Sequence, residues 1–334
     1  MKVACVQMDV LHCRKQENLE KALYMALEAV RKGAEIIVFP EVFSTGFCYE
    51  NFDHLAENLP SPTLENLACF SEANDCVLIG SVIQKETEEK QKNTEEKQKE
   101  AEKKKNDAEE KQREPEKKKN DTQKNNLAKN KNSFEEKANS FAGKEKEMLE
   151  SKNDLNSELY NSSLYYNLGF CFDSGSLAGT YRKTHPFKNE NQYFSRGSSL
   201  EPITLKKRNL KIGFEICYEL RFPEVARKLV LAGSDLLVTA AAFPNPRSEH
   251  WKTLARARAI ENQIPHIACN RIGAAPDCSY FGNSMIIDAW GEIKADAGNR
   301  ECVIVYDLDL SGKDEIRKMI PVFEDRRTEL YSNS

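Results

Sequence analysis

The chain has 334 residues, a formal net charge of -4 and a pI near 5.9. That balance excludes the basic patches that bind nucleic acid or anionic membranes, and the length is ample for a large buried core. No apolar run approaches membrane-spanning length, and Met1 to Val10 enters an alternating apolar run instead of a basic leader, so a cytoplasmic protein is expected.

Lys2 to Gln7 reads as a strand, and Asn18 to Lys32 as a helix with Leu19, Ala22, Leu23, Ala26, Leu27 and Val30 on one face. Gly33 stops the helix, and Ala34 to Phe39 is a second apolar strand with Glu41 just beyond it. A strand-helix-strand unit of this kind places its two strands parallel. Strands are expected over Cys76 to Ile83, Leu164 to Phe172 and Gly179 to Lys183. The unit then recurs: strand Lys211 to Ile216, helix Pro223 to Ala232, stop at Gly233, strand Asp235 to Thr239. Two such units point to two sheets, each covered by helices on its outer face. Beyond them come a helix over Glu249 to Gln263 and a strand over Pro265 to Cys269. Two strands turn around Trp290-Gly291, another runs from Cys302 to Leu310, and a short helix spans Ser311 to Met319.

Residues 84–161 are of another kind. Gln84 to Asn126 contains no Val, Ile, Leu, Met or aromatic residue, and Glu-Glu-Lys-Gln-Lys/Arg recurs at 88, 95 and 109. Without apolar residues at alternate third and fourth positions, no coiled coil is specified. Leu127, Phe134, Phe141, Met148 and Leu155 give one apolar residue every two turns, too thin a stripe to hold a core. The expectation is a single domain over 1–334 with a charged, helical or disordered insertion at 84–161, dispensable for folding and catalysis.

Ten cysteines fall at 5, 13, 48, 69, 76, 171, 217, 269, 278 and 302. None forms a Cys-x-x-Cys pair, and the spacing matches no metal framework, so reduced thiols and no metal are expected. Cys217 stands apart because it lies between the end of a strand and a helix opening at Pro223. The field of a helix N-terminus favours thiolate, the nucleophilic form, although most free cysteines are simply small buried hydrophobes.

Three segments carry the chemistry: Phe39-Pro40-Glu41-Val42-Phe43, Tyr181-Arg182-Lys183-Thr184-His185-Pro186-Phe187 and Glu215-Ile216-Cys217-Tyr218-Glu219-Leu220-Arg221-Phe222-Pro223-Glu224. A thiol needs a base, which a carboxylate in apolar surroundings can supply. Attack on an amide carbon creates an oxyanion, which needs a cation or a preorganised N–H. Singly, Glu41 is equally compatible with a loop cap and Lys183 with an ordinary exposed lysine. Together, and in this order, the segments resemble the Glu, Lys and Cys motifs of the carbon-nitrogen hydrolase (nitrilase) superfamily, over residues 1–83 and 162–331.

The resemblance implies an α/β fold, a four-layer α-β-β-α sandwich of two mixed sheets, in a homodimer or higher homo-oligomer. It implies Cys217 as nucleophile, Glu41 as general base and acid, and Lys183 with the Tyr218 backbone N–H as oxyanion stabilisers, with no cofactor. Glu190 aligns with a second family glutamate near the lysine, and His185 is taken as structural. Asn245-Pro246-Arg247-Ser248-Glu249-His250-Trp251 and the residues after Cys217 resemble the omega-amidase-like branch, whose substrates are short amides of dicarboxylic acids such as 2-oxoglutaramate. Arg221 and Arg247 are candidates for the distal carboxylate, since guanidinium binds carboxylate through paired hydrogen bonds. Arg258 and Glu261, three apart on one helix, are expected to pair structurally. A nitrilase or N-carbamoyl hydrolase with the same trio, and a scaffold acting through the charged insertion, remain alternatives.

Overall fold

The structure is a computed structural model, and it describes residues 1–86 and 164–331. The chain divides into one compact unit of Met1–Lys85 with Tyr165–Ser334 and a second of Glu86–Leu164. The charged insertion expected over 84–161 lies outside the described residues, except that its first three residues belong to a strand.

The first unit opens with β1 (Lys2–Gln7), α1 (Lys15–Arg31) and β2 (Ile36–Val38), and β1 and β2 pair in parallel as the unit predicts. After α2 (Phe52–Leu55), β3 (Glu57–Asn58) and α3 (Pro62–Ala73) come β4 (Val77–Glu86), β5 (Leu164–Asp173) and β6 (Ser176–Arg182). Next are β7 (Ile203–Leu205), β8 (Leu210–Ile216), α4 (Pro223–Leu231), β9 (Leu236–Ala241), α5 (Ser248–Asn262) and β10 (His266–Asn270). A small hairpin, β11 (Ile272–Ala275) and β12 (Cys278–Phe281), precedes β13 (Met285–Ile287), β14 (Ile293–Asp296), β15 (Cys302–Asp307) and α6 (Gly312–Met319).

One sheet runs β15-β1-β2-β4-β5-β6, with β3 beside β4, and the other β14-β13-β10-β9-β8-β7. Both are mixed: β1, β2 and β4 are parallel, as are β8, β9 and β10, while antiparallel strands flank them. The two strand-helix-strand units thus seed different sheets. Alternation along β1 explains the layering. Val3 and Cys5 join Ile212, Phe214, Val238 and Ile267 in the core between the sheets. Ala4 and Val6 face the other way, into a cluster with Leu19, Ala22, Met25 and Ala26 of α1. Val225, Ala226 and Leu229 of α4 cover the outer face of the second sheet with Leu237. The result is the four-layer α-β-β-α sandwich.

Three features differ from the sequence reading. The face of α1 nearest the sheet is set by Ala22, Met25, Ala26 and Ala29, whereas Leu23, Leu27 and Val30 are only half-buried, because small side chains let the helix sit close. The helix α3 was not expected; Ser61 caps it by accepting from Leu64 N–H, and Pro62 occupies its first turn. Cys13 and Cys48 are joined by a disulfide, which corrects the expectation of an all-reduced set, as two distant loops meet there. Among the described residues no helix is long and apolar enough to cross a membrane.

Candidate active site

Glu41, Lys183 and Cys217 each lie just past the end of a strand, β2, β6 and β8 respectively. Strand ends on one side of a two-layer core converge, so residues far apart in sequence meet in space. Lys183 Nζ donates to Glu41 Oε1 at 2.7 Å and to Glu190 Oε2 at 2.8 Å. Glu41 is 0 % exposed, Lys183 1 % and Glu190 6 %. Glu41 is also held by residues that sequence reasoning missed: Asn167 Nδ2 donates to Oε1 at 2.8 Å, and the Ala242 N–H to Oε2 at 3.0 Å. The one available signal was an amide-bearing side chain inside the apolar strand at 164–172. Gly197 completes the lysine's corner by donating its N–H to Lys183 O at 2.9 Å. A Cβ there would fall 2.0 Å from Arg182 O, so only glycine permits that approach.

The electrostatics follow from burial and pairing. Burial alone would push the Lys183 ammonium down, but the carboxylates of Glu190 and Glu41 hold it well above the ordinary lysine range. Burial pushes the Glu190 carboxyl up against the pull of Lys183. Burial, and the charge of Glu41 after it, push the Cys217 thiol well up, more than Lys183 and the Ala242 backbone bring it down. That direction runs against the thiolate that the field of a helix N-terminus would favour. Cys217 opens a short 3-10 turn, six residues before the first full helical residue, Pro223. It is also buried, while Cys69 and Cys278 are exposed, so alkylation by exposure alone does not single it out.

Glu219 ties the lysine and cysteine corners together. Its Oε1 accepts from Tyr181 OH (2.6 Å), Thr184 N–H (2.7 Å) and Thr184 Oγ1 (2.6 Å), and its Oε2 from Ile216 N–H (2.7 Å). Burial would raise this carboxyl, but hydrogen bonds from His185, Thr184, Tyr181 and the Ile216 backbone hold it below its ordinary value of 4.5. A carboxyl depressed in the folded state contributes stability that is present above the unfolded value and lost as pH falls through the folded one. Glu219→Ala should therefore cost ~3 kcal/mol or more at neutral pH, since several charge-assisted bonds lose their acceptor. Urea denaturation at neutral and acid pH checks this, and the gap to wild type should narrow as pH drops below about 4.5. An equal gap in acid would refute the role.

The remaining candidates surround this core. His185 stacks on Phe222 with ring centroids 4.3 Å apart and Nδ1 2.8 Å from Thr184 Oγ1, as a structural residue would. The Tyr218 ring packs on Phe187 at 4.8 Å, and the Arg247 guanidinium lies over that same Phe187 ring at 5.8 Å. The Arg221 guanidinium lies over Phe243, next to Ala242, at 5.0 Å. Among the described residues neither guanidinium has a carboxylate partner, whereas Arg258 pairs with Glu261 at 2.7 Å as expected. Tyr49, which sequence reasoning also missed, stacks on Tyr193 at 4.1 Å. Burial, then the charges of Glu190 and Glu41, push its hydroxyl up, so it borders the charged cluster.

Comparisons with known proteins agree with this arrangement. A 2-oxoglutaramate amidase of Bacillus subtilis (strain 168) is 29% identical over 332 residues, covering 98% of each chain. The omega-amidase NIT2 of Xenopus tropicalis is 28% identical over 330 residues, covering 95% of this chain and 92% of the relative. Saccharomyces cerevisiae Nit3, a nitrilase-superfamily member, superposes with a TM-score of 0.71 at 22% identity, over 98% of this chain and 96% of that one. The family model for carbon-nitrogen hydrolases matches residues 2–117 and 145–318, both sides of the charged segment and all three motifs. This chain belongs to the carbon-nitrogen hydrolase family and is an amidase-type enzyme of it.

Proposed function

We propose that the enzyme hydrolyses a short omega-amide of the 2-oxoglutaramate type through a thioester on Cys217. The observation that carries the catalytic part is the buried Lys183 bridging Glu41 and Glu190, with Cys217 close enough for the charge of all three to bear on its thiol. A protonated thiol needs a base at the moment of attack, and Glu41 is the carboxylate whose charge acts on it most strongly. Glu41 takes the thiol proton as the sulfur adds to the amide carbon. Lys183 and the Tyr218 N–H hold the oxyanion, and Glu190 keeps the lysine in place. Glu41 then gives the proton to the departing nitrogen, which leaves as ammonia. Water attacks the thioester with Glu41 again as base; the acid leaves, and Glu41 passes the proton to the departing sulfur, which restores the free thiol.

The carboxylate end of the substrate is assigned to Arg221 and Arg247. Both sit one or two aromatic rings from the trio without a carboxylate partner among the described residues, and the Bacillus relative is named for 2-oxoglutaramate. Ammonia release from 2-oxoglutaramate, a nitrile and an N-carbamoyl amino acid tests the reading, with the first expected to be turned over best. Arg247→Ala should raise KM for the carboxylated amide while sparing a neutral amide of equal length. Faster turnover of the nitrile, or an equal loss on both amides, would overturn it.

A further inference from the structure

A second cluster of reactive side chains lies away from the trio, on the loops that carry Tyr49. His12 and Cys13 follow β1, while Cys48 and Glu50 flank Tyr49 on the loop that begins at Glu41. The two loops are held together by the Cys13 N–H donating to Thr45 O at 2.9 Å and by the Cys13–Cys48 bond, with Cα atoms 5.3 Å apart. At the same place His12 Nε2 lies 2.6 Å from Glu50 Oε1, and Cys13 Sγ lies 3.2 Å from that oxygen. One imidazole nitrogen, two sulfurs and one carboxylate oxygen thus lie within 4.8 Å of one another. Among the described residues the buried Nδ1 of His12 has no hydrogen-bond partner, while its Nε2 meets Glu50.

We propose that reduction of the Cys13–Cys48 bond converts this cluster into a binding site for a soft divalent cation of the Zn(II) class, with His12, Cys13, Cys48 and Glu50 as ligands. Two thiolates and an imidazole favour such a cation over Mg(II) or Ca(II), which prefer oxygen. A tetrahedral site with bonds of ~2.0–2.3 Å spaces its donors roughly 3.3–3.8 Å apart. The nitrogen-oxygen and sulfur-oxygen separations need to open only modestly to reach that spacing. The two sulfurs are the pair that must part, and only reduction lets them. In that step a dithiol reductant gives two electrons and two protons: the protein S–S bond breaks to two thiols, and the reductant closes its own disulfide. Binding the cation then releases both thiol protons, and two thiolates with one carboxylate are left with a net charge of one instead of three. Disulfide and cation are alternative clasps on the same pair of loops. Because Tyr49 sits between Cys48 and Glu50, either clasp fixes the segment that stacks on Tyr193 at 4.1 Å.

The full-length protein is reduced with a phosphine, freed of reductant and titrated with Zn(II) and Co(II) without oxygen. About one equivalent of tightly held metal per chain is expected, with a thiolate-to-cobalt absorption band in the near ultraviolet. The same stoichiometry should appear in Cys217→Ala, which removes the competing thiol of the trio, and oxidised protein should bind none. Cys48→Ser should abolish the band. Should that variant fold poorly, the exposed Glu50→Gln serves instead and should weaken binding by at least the ~10-fold seen on losing groups behind metal ligands. Three results would overturn the site: no retained metal after reduction, metal lost in Cys217→Ala but kept in Cys48→Ser, or a disulfide that native-state reductant cannot open.

Discussion

Cys217→Ala is expected to abolish turnover, by about 10⁵-fold or more, as removal of a covalent nucleophile does elsewhere. The fold should survive. Deleting one sulfur from a buried site costs only ~1 kcal/mol, and Cys217 already sits at φ 48°, a conformation alanine tolerates no worse than cysteine. The buried thiol, pushed up by its surroundings, also means that activity should depend on a neighbouring base and not on a standing thiolate. Steady-state ammonia release and a thermal melt check both halves. Residual turnover within a hundredfold of wild type would show that another group attacks the substrate.

Lys183→Ala should be damaging twice over. The substitution removes the cation proposed to hold the oxyanion, a role worth ~3 kcal/mol of transition-state stabilisation. It also strands the carboxylates of Glu41 and Glu190, both buried, without their shared partner. Breaking a buried ion pair from one side typically costs ~3–5 kcal/mol, so this variant should melt well below wild type. The Glu190 carboxyl, already pushed up by burial and no longer held down by the lysine, takes up a proton in the folded state at pH values where the unfolded chain has lost it. The deficit should consequently grow as pH rises from about 5 to 8, since stability falls wherever the folded state holds more protons. Glu41→Gln keeps the shape and should lose ~10²–10⁴-fold in rate, the usual worth of a general base, with a smaller loss of stability. Calorimetry across pH, paired with rates, separates the two variants. A Lys183→Ala protein with wild-type stability at all pH values would contradict the bridge.

Glu41, Lys183 and Cys217 were legible because each follows an apolar strand and belongs to a motif whose chemistry makes sense only with the other two. The groups that hold them were not. Asn167 reads as one polar residue in a strand, and nothing local says that its amide reaches Glu41, 126 residues away. Glu219 reads as a charge in a short turn, yet it accepts hydrogen bonds from the segment carrying Lys183. Such roles depend on which strand ends meet, and that is decided by packing between elements remote in sequence.

The same division runs through the fold. Periodicity determined the two strand-helix-strand units, their parallel pairing and the buried character of the strands, because alternation and helical stripes are local properties of the chain. Their recurrence also pointed to two sheets, which the strand order bears out; only tertiary structure decided which face of α1 meets its sheet. The surroundings of Cys217 were likewise decided there, because burial and the Glu41 carboxylate push its thiol up against the helix field visible in the sequence. Cys13 and Cys48 make the point most simply. Thirty-five residues separate them, no spacing rule links them, and they meet because the loops after the neighbouring strands β1 and β2 close on each other.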